Sequence, residues 1–509
     1  MPRWTTIITL LFFLYISLFF IQQPHLTTLD LGRHLVNGRE LLQSPELLKT
    51  NFFSYTNPDF PFINHHWLFG WLAYQVFQIA DFPGLVLLNA LCIVSAVFLV
   101  FVLAKKLSSP KIALIATMIC LPLIANRTDI RPETISFLLT AVWLFLLSRM
   151  TQQSLWKTLF ILAITQIIWV NSHLFFVFGW AIAGAFLLRV LLVKKFHWQR
   201  KGLLLFCVSL PVVSLLNPSG LAGVLQPFTI FSAYNYPVAE NQSLWFFLHY
   251  SPKNPQYWYA SVLTLVAIFG SVAVLFKKKF VYLPLALASI FLAVLTSQVN
   301  RVGSFLALAL LPTLAVMIKA LWQKYEKKID AVLSNSLGLM LISLVGFGLL
   351  ILVLATQLFT PKLQTIGFRP SQAVTASTDF FNSIETTGNI FNNYDIGSYL
   401  VYSLYPSRKV FIDNRPEAYS AEFLKHDYIA AQEDDQVWQE VVEKYKIGVI
   451  FFAYRDATDW AGPFIIRRVQ DPYWVPVYAD NEIVILVADI PEHQEIIEKY
   501  RLPDDVFSN

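Results

Sequence analysis

Residues 110–150 read PKIALIATMICLPLIANRTDIRPETISFLLTAVWLFLLSRM. Between Lys111 and Arg127, and again between Glu133 and Arg149, no charged residue occurs, while the short turn joining the runs holds Arg127, Asp129, Arg131 and Glu133. A bilayer core needs about 20 apolar residues per helical crossing, so the expected spans are 110–126 and 132–150, with the turn at the membrane surface. The same pattern continues outward in both directions. Apolar runs fall near 4–22, 84–104, 155–171, 173–193, 203–217, 257–276, 280–299, 303–322 and 335–359. Eleven crossings are expected in all.

Composition supports this. Hydrophobic residues make up 56% of the 509 residues and charged residues 14%, and the mean hydropathy is +0.54. A soluble domain carries about 25% charged residues. Charge density becomes ordinary after Thr360, which divides the chain into a membrane domain, 1–359, and a soluble domain, 360–509. The tail's pattern predicts strands at Asn389–Tyr394, Lys409–Asp413 and Gly448–Tyr454, helices at 417–431 and 436–445, and a hairpin of Trp474–Ala479 and Ile483–Val487 turning at Asp480-Asn481. The fold class is therefore a polytopic α-helical membrane protein with a C-terminal soluble α/β domain.

Loop charge sets the orientation. With the N-terminus cytoplasmic, Lys105, Lys106, Lys111, Lys194, Lys195, Arg200, Lys201, Lys277–Lys279, Lys319, Lys324, Lys327 and Lys328 all fall inside. The longer outer loops carry fewer cations, as the positive-inside rule requires, and the tail becomes extracytoplasmic. These loop cations account for the net charge of +5, so it does not point to nucleic acid. The first run follows Arg3 and ends at Gln22-Gln23-Pro24 without a small-x-small cleavage site, which reads as a retained helix. Cys92, Cys120 and Cys207 lie in apolar runs, and no disulfide is expected in the tail. Residues 67–80, Trp-rich and amphipathic, are expected along the interface.

The ionisable residues of the membrane domain collect on one side. His25, His34, His65, His66, His173 and His249 map to the outer face, as do Asp30, Glu40, Glu46, Asp59, Asp81, Asp129, Glu133 and Glu240. Such groups are costly at a membrane boundary unless paired or solvated, so their collection suggests a site; the competing reading is that outer loops are simply longer. If the stretch after Leu29 is helical, Asp30 and His34 share a face. Asp30 can then act as a proton acceptor, or merely cap the helix. Arg127, Arg131 and Arg301 sit at outer span ends, where they can grip a phosphate or snorkel to headgroups. Asp129 and Glu133, which flank Arg131, can neutralise it or share a cation between themselves. His65 or His66 can ligate a divalent metal with Asp30 or His173, or hydrogen-bond substrate as a neutral ring. Asp413-Asn414-Arg415, after a predicted strand, is either a ligand-binding strand end or an Asp–Arg pair capping the next helix. There is no Walker loop, HExxH, GxSxG or CxxC. The spans carry essentially no mid-helix charge, which counts against a pump.

Asp30 after the first span, Asn51-Phe52-Phe53-Ser54-Tyr55-Thr56, Asn64-His65-His66-Trp67, Asn171-Ser172-His173, Asn217-Pro218, Asn300-Arg301 and Phe411-Ile412-Asp413-Asn414-Arg415 together resemble the GT-C superfamily of membrane glycosyltransferases. Within it the chain is similar to the bacterial protein-mannosyltransferase and aminoarabinose-transferase relatives. The resemblance implies a cell (plasma or inner) membrane transferase of the cell envelope. It would move a sugar from a polyprenyl-phosphate donor to a lipid, glycan or protein acceptor at the outer face. Asp30 is then the catalytic base, and Arg127, Arg131 or Arg301 steadies the departing phosphate. The expected substrate-binding set is His34, His65, His66, Arg127, Asp129, Arg131, Glu133, His173 and Arg301, with a divalent metal as the one candidate cofactor. The chain departs from many relatives in having Leu31, not a second acid, after Asp30. Two rival classes are a lipid-glycan flippase or transporter, which needs polar residues along a path through the bilayer, and a non-catalytic envelope-assembly scaffold.

Overall fold

The structure, a computed structural model, describes residues 3–27, 29–233, 236–277, 280–333 and 356–503. They divide into two compact units, each built from separated stretches of chain.

The first unit comprises 1–22, 86–217 and 238–367 and is helical. Helices stand where apolar runs are expected, including Pro110–Ile124, Glu133–Arg149, Leu155–Ser172, Arg200–Ser214, Pro255–Lys277 and Leu283–Gln298. Local chemistry sets their ends. Ser109 accepts a hydrogen bond from the Ile112 N–H, and Pro110 occupies the first turn, where its missing donor costs nothing. Among the described residues five helices are long and apolar enough to cross a membrane: Trp67–Leu107, Leu155–Ser172, Leu174–Leu192, Pro255–Lys277 and Asn300–Tyr325. Burial is distributed as lipid demands. Phe305 to Leu311 is buried on every side of its helix, whereas Val208, Val212, Phe269 and Phe276 are exposed. So wide an exposed apolar surface suits hydrocarbon, not water. The chain is a membrane protein. Residues 335–355 of the eleventh expected span lie outside the described residues.

The second unit comprises 23–85, 218–237 and 368–509, so the first long loop packs with the tail. Its sheet is ordered β1-β2-β4-β3: β1 (Asn389–Asn392) runs parallel to β2 (Ile447–Ala453), and β4 (Ile483–Ala488) lies antiparallel to β2 and to β3 (Trp474–Ala479). Asp480 forms the hairpin turn, its Oδ1 accepting from the Glu482 and Ile483 N–H groups at 2.8 Å each. The strand expected at Lys409–Asp413 is not in the sheet. Its backbone is satisfied elsewhere: Val410 forms one bridge with Ser54, and the Asn392 side chain accepts from Phe411 N–H and donates to the Ile412 carbonyl. The expected helix 417–431 is instead a 3-10 turn, Pro416–Ala418, then π-helical turns, Phe423–Ala430. Residues 67–80 continue into the following span as one helical path, broken at Asp81, whose φ of 52° is left-handed.

Two glycines allow the loop to pack tightly. A Cβ on Gly38 would lie 2.2 Å from the Gly70 carbonyl oxygen, and one on Gly32 would lie 2.7 Å from the Ser398 carbonyl oxygen. The helix Leu31–Glu40 is thereby pressed against the helix beginning at Trp67 and against Gly397–Leu404.

Candidate active site

In the second unit, Asp30 occupies the N-cap position of Leu31–Glu40, yet its side chain makes no capping hydrogen bond. Its Oδ2 instead lies 3.1 Å from His34 Nε2 and 3.7 Å from Arg33 Nη2. Spacing of three and four residues puts both partners on the face below Asp30. His34 and Arg33 are buried, and Asp30 stays partly accessible. Burial, then the neighbouring Arg33 charge, pushes the His34 imidazole below its ordinary pKa, so the ring is neutral and donates Nε2–H to the carboxylate. Burial and Arg415 lower the Arg33 guanidinium. The His66 ring packs edge-on to His34 at 5.5 Å and to His65 at 4.0 Å. His65 Nδ1 lies 3.0 Å from the Ile63 carbonyl oxygen.

Beneath this group is a clasp. Arg415 donates to Asp413 through Nε at 2.7 Å and Nη2 at 2.5 Å, and to Asn51 Oδ1 at 2.7 Å. Its guanidinium lies 4.6 Å from the Phe62 ring centroid. Asp413 and Arg415 thus serve each other and hold the first loop to the tail; they form the expected pair, but neither side chain caps the Pro416–Ala418 turn that follows. Burial raises the Glu417 carboxyl beside them.

The first unit holds a second group. Arg127 meets Glu133 at 3.0 Å and Glu240 at 3.2 Å, Arg131 meets Glu240 at 2.8 Å, and Arg301 lies 3.7 Å from Glu133. Three guanidinium groups thus pair with two carboxylates, and Asp129 adds a third negative charge nearby. Burial opposes ionisation of Glu240, but Arg127 and then Arg131 outweigh it and hold its carboxyl well below the usual range. Burial likewise would lower Arg127, yet Glu133 and Glu240 raise it, with Asp129 adding to the same field. Arg301 stands over the Phe175 ring at 5.5 Å, and the His173 ring lies edge-on to the same ring at 4.5 Å. His173 caps its helix: Phe175 N–H donates to Nδ1, which also takes the Ser136 hydroxyl at 3.0 Å.

The expected residues therefore gather in two sets, Asp30, His34, His65 and His66 in one unit and Arg127, Asp129, Arg131, Glu133, His173 and Arg301 in the other. Arg33 and Glu240 complete the sets and were not among the expected site residues. Arg33 was legible as an i+3 neighbour of Asp30; nothing in the sequence tied Glu240 to Arg127. Among the described residues no three His, Cys, Asp or Glu side chains gather at metal-binding spacing. A guanidinium beside Asp30 also means that a cation bound there would meet like charge.

Over 96% of its length the chain superposes on 74% of the Archaeoglobus fulgidus oligosaccharyltransferase tethered with an acceptor peptide containing the NVT sequon, at TM-score 0.61 and 13% identity. The same enzyme in complex with zinc and sulfate matches 94% of this chain and 74% of that one, at TM-score 0.56 and 13% identity. ArnT from Cupriavidus metallidurans bound to undecaprenyl phosphate matches 96% of this chain and 98% of that one, at TM-score 0.52 and 12% identity. Both enzymes are membrane glycosyltransferases of the GT-C superfamily. The chain has the GT-C fold. No protein-family model and no curated protein matches the sequence. At 12–13% identity the likeness is one of architecture; the chemistry of this GT-C chain has to be argued from its own side chains.

Proposed function

We propose that this GT-C chain is an inverting glycosyltransferase that moves a sugar from a polyprenyl-phosphate donor to a lipid, glycan or protein hydroxyl at the outer face of the cell membrane. The observation that carries the reading is the Asp30 carboxylate, which is not used as a helix cap but is held by a neutral histidine and a buried arginine, its side chain 19% exposed. Asp30 takes the acceptor's hydroxyl proton, the acceptor oxygen attacks the anomeric carbon, and the bond to phosphate breaks with its electrons leaving on the phosphate. Arg127, Arg131 and Arg301 are assigned to that phosphate, since preorganised guanidinium groups stabilise charge as it develops. His34 orients Asp30, and His65, His66, Asp129, Glu133 and His173 line and order the two groups.

The neighbours support these partners: one was solved with undecaprenyl phosphate and another with an acceptor peptide. One was also solved with zinc and sulfate; a divalent ion is compatible with the fold, and no step is routed through it. The topology belongs to the same reading, with eleven crossings over 1–359, a cytoplasmic N-terminus and an extracytoplasmic domain over 360–509. The test is release of polyprenyl phosphate from a panel of lipid-linked sugars by the full chain in nanodiscs. Asp30→Asn should slow release by about 10²–10⁴-fold, and unchanged turnover would reject the base assignment.

A further inference from the structure

The second unit contains a cavity of about 380 Å³ that the reaction above does not use. Its floor is Leu35 and Val36, on the helix that Asp30 begins, roughly 8 Å further along the axis. Aromatic walls come from Tyr74, Phe77 and Tyr402, and polar ones from Gln78, Asp379 and Asn382. We propose that this cavity is a binding subsite for a neutral sugar ring, the glycan part of an acceptor.

Three observations lead there. The volume lies at the lower end of the roughly 300–1,000 Å³ typical of ligand pockets, so it suits a small ligand and not a folded partner. Its chemistry pairs flat apolar faces with hydroxyl-binding groups: among the described residues no hydrogen bond occupies the Gln78, Asp379 or Asn382 side chains, and Phe77 and Tyr402 stand edge to face at 6.5 Å. A sugar ring presents that combination, an apolar C–H face and a rim of hydroxyls. The cavity is also a poor anion site. Its guanidinium, Arg39, already donates to Glu40 at 2.6 Å and to the Tyr405 carbonyl at 3.2 Å, and Asp379 adds a negative charge. A phosphate would meet repulsion from Asp379, and a wholly apolar ligand would make no use of the exposed Gln78, Asp379 and Asn382 side chains at the rim.

The fold ties the cavity to Asp30. Tyr402 sits directly over Gly32, where an added Cβ would approach Tyr402 Cβ to 2.8 Å. Any shift of that wall is therefore felt two residues from the carboxylate.

The role as acceptor subsite rests on the transferase reading, whereas the binding does not. The experiment is saturation-transfer NMR on the full chain in lipid nanodiscs, avoiding alkyl-glycoside detergents, with methyl α-mannopyranoside, methyl β-glucopyranoside and N-acetylglucosamine as probes. At least one glycoside should bind the wild type and bind at least about tenfold more weakly to Asp379→Ala and Tyr402→Ala. Asp379 is exposed, so its variant retains the fold even if Tyr402→Ala does not. Asp30→Asn should bind the glycoside as the wild type does. Absence of binding by all three probes, or equal binding by Asp379→Ala, overturns the subsite. Full transfer activity in Asp30→Asn with glycoside binding intact would sink the base assignment alone.

Discussion

The two polar groups of this chain solve opposite problems. Around Asp30 there is one accessible carboxylate, one buried guanidinium and a histidine kept neutral by burial. Around Arg127 two carboxylates serve to hold three arginines in place. The first arrangement leaves a group able to accept a proton. The second fixes three guanidinium groups together, the group that the proposed function assigns to a phosphate. The contrast teaches that similar residue types acquire different roles from their neighbours, and it can be broken experimentally.

The largest effect on stability should come from Arg127→Met. It strands Glu133 and Glu240 without their central partner, and breaking such a buried pair costs about 3–5 kcal/mol. Asp30→Asn, by contrast, should change stability by no more than about 1 kcal/mol, because its amide still accepts from His34. Thermal unfolding in nanodiscs separates the two; equal losses would erase the distinction. A step smaller is Gly38→Ala. The added methyl meets the Gly70 carbonyl, and overpacking of that kind costs about 1–3 kcal/mol and displaces the helix that carries Asp30. Gly184→Ala, where a Cβ would meet open space, is the control.

The smallest effect is on pH dependence. In the native state the His34 pKa lies below its ordinary 6.5, so as pH falls through that value the unfolded chain takes up a proton that native His34 refuses. Stability therefore declines on acidification below about pH 6.5, by at most about 1.4 kcal/mol per pH unit, and His34→Gln should flatten that limb. Glu240 has the same sign in a lower pH window. Its native value is depressed, so its contribution is complete above the ordinary carboxylate range and is lost only as pH falls through it. Denaturation midpoints measured from pH 7 to pH 3 in His34→Gln and Glu240→Gln would show two separate windows, one below about pH 6.5 and one within the carboxylate range; a single shared window would contradict the contrast.

What could be read from the sequence follows sequence distance. Asp30 with His34, and Arg127 with Arg131 and Glu133, sit within one helical turn or one short loop, where spacing dictates geometry. The apolar runs announced the membrane in the same local way, and the Asp480 turn announced the hairpin. Contacts between distant segments stayed hidden. Glu240 reaches Arg127 from 113 residues away, and Arg415 reaches Asn51 from 364. Val410–Ile412 has the composition of a strand, but the side chain of Asn392 and the loop at Ser54 took its hydrogen bonds. Propensity cannot report such a competition, because the competitor lies elsewhere in the chain.

The most direct measurement is the split between kcat and donor KM for Asp30→Asn and Arg131→Met, assayed side by side with a lipid-linked sugar that the wild type uses. Two separate tasks predict that Asp30→Asn loses kcat with an unchanged KM, while Arg131→Met, which removes a contact to the donor phosphate both before and during bond breaking, raises KM by roughly tenfold or more and lowers kcat as well. A kcat for Asp30→Asn equal to that of the wild type would contradict the account.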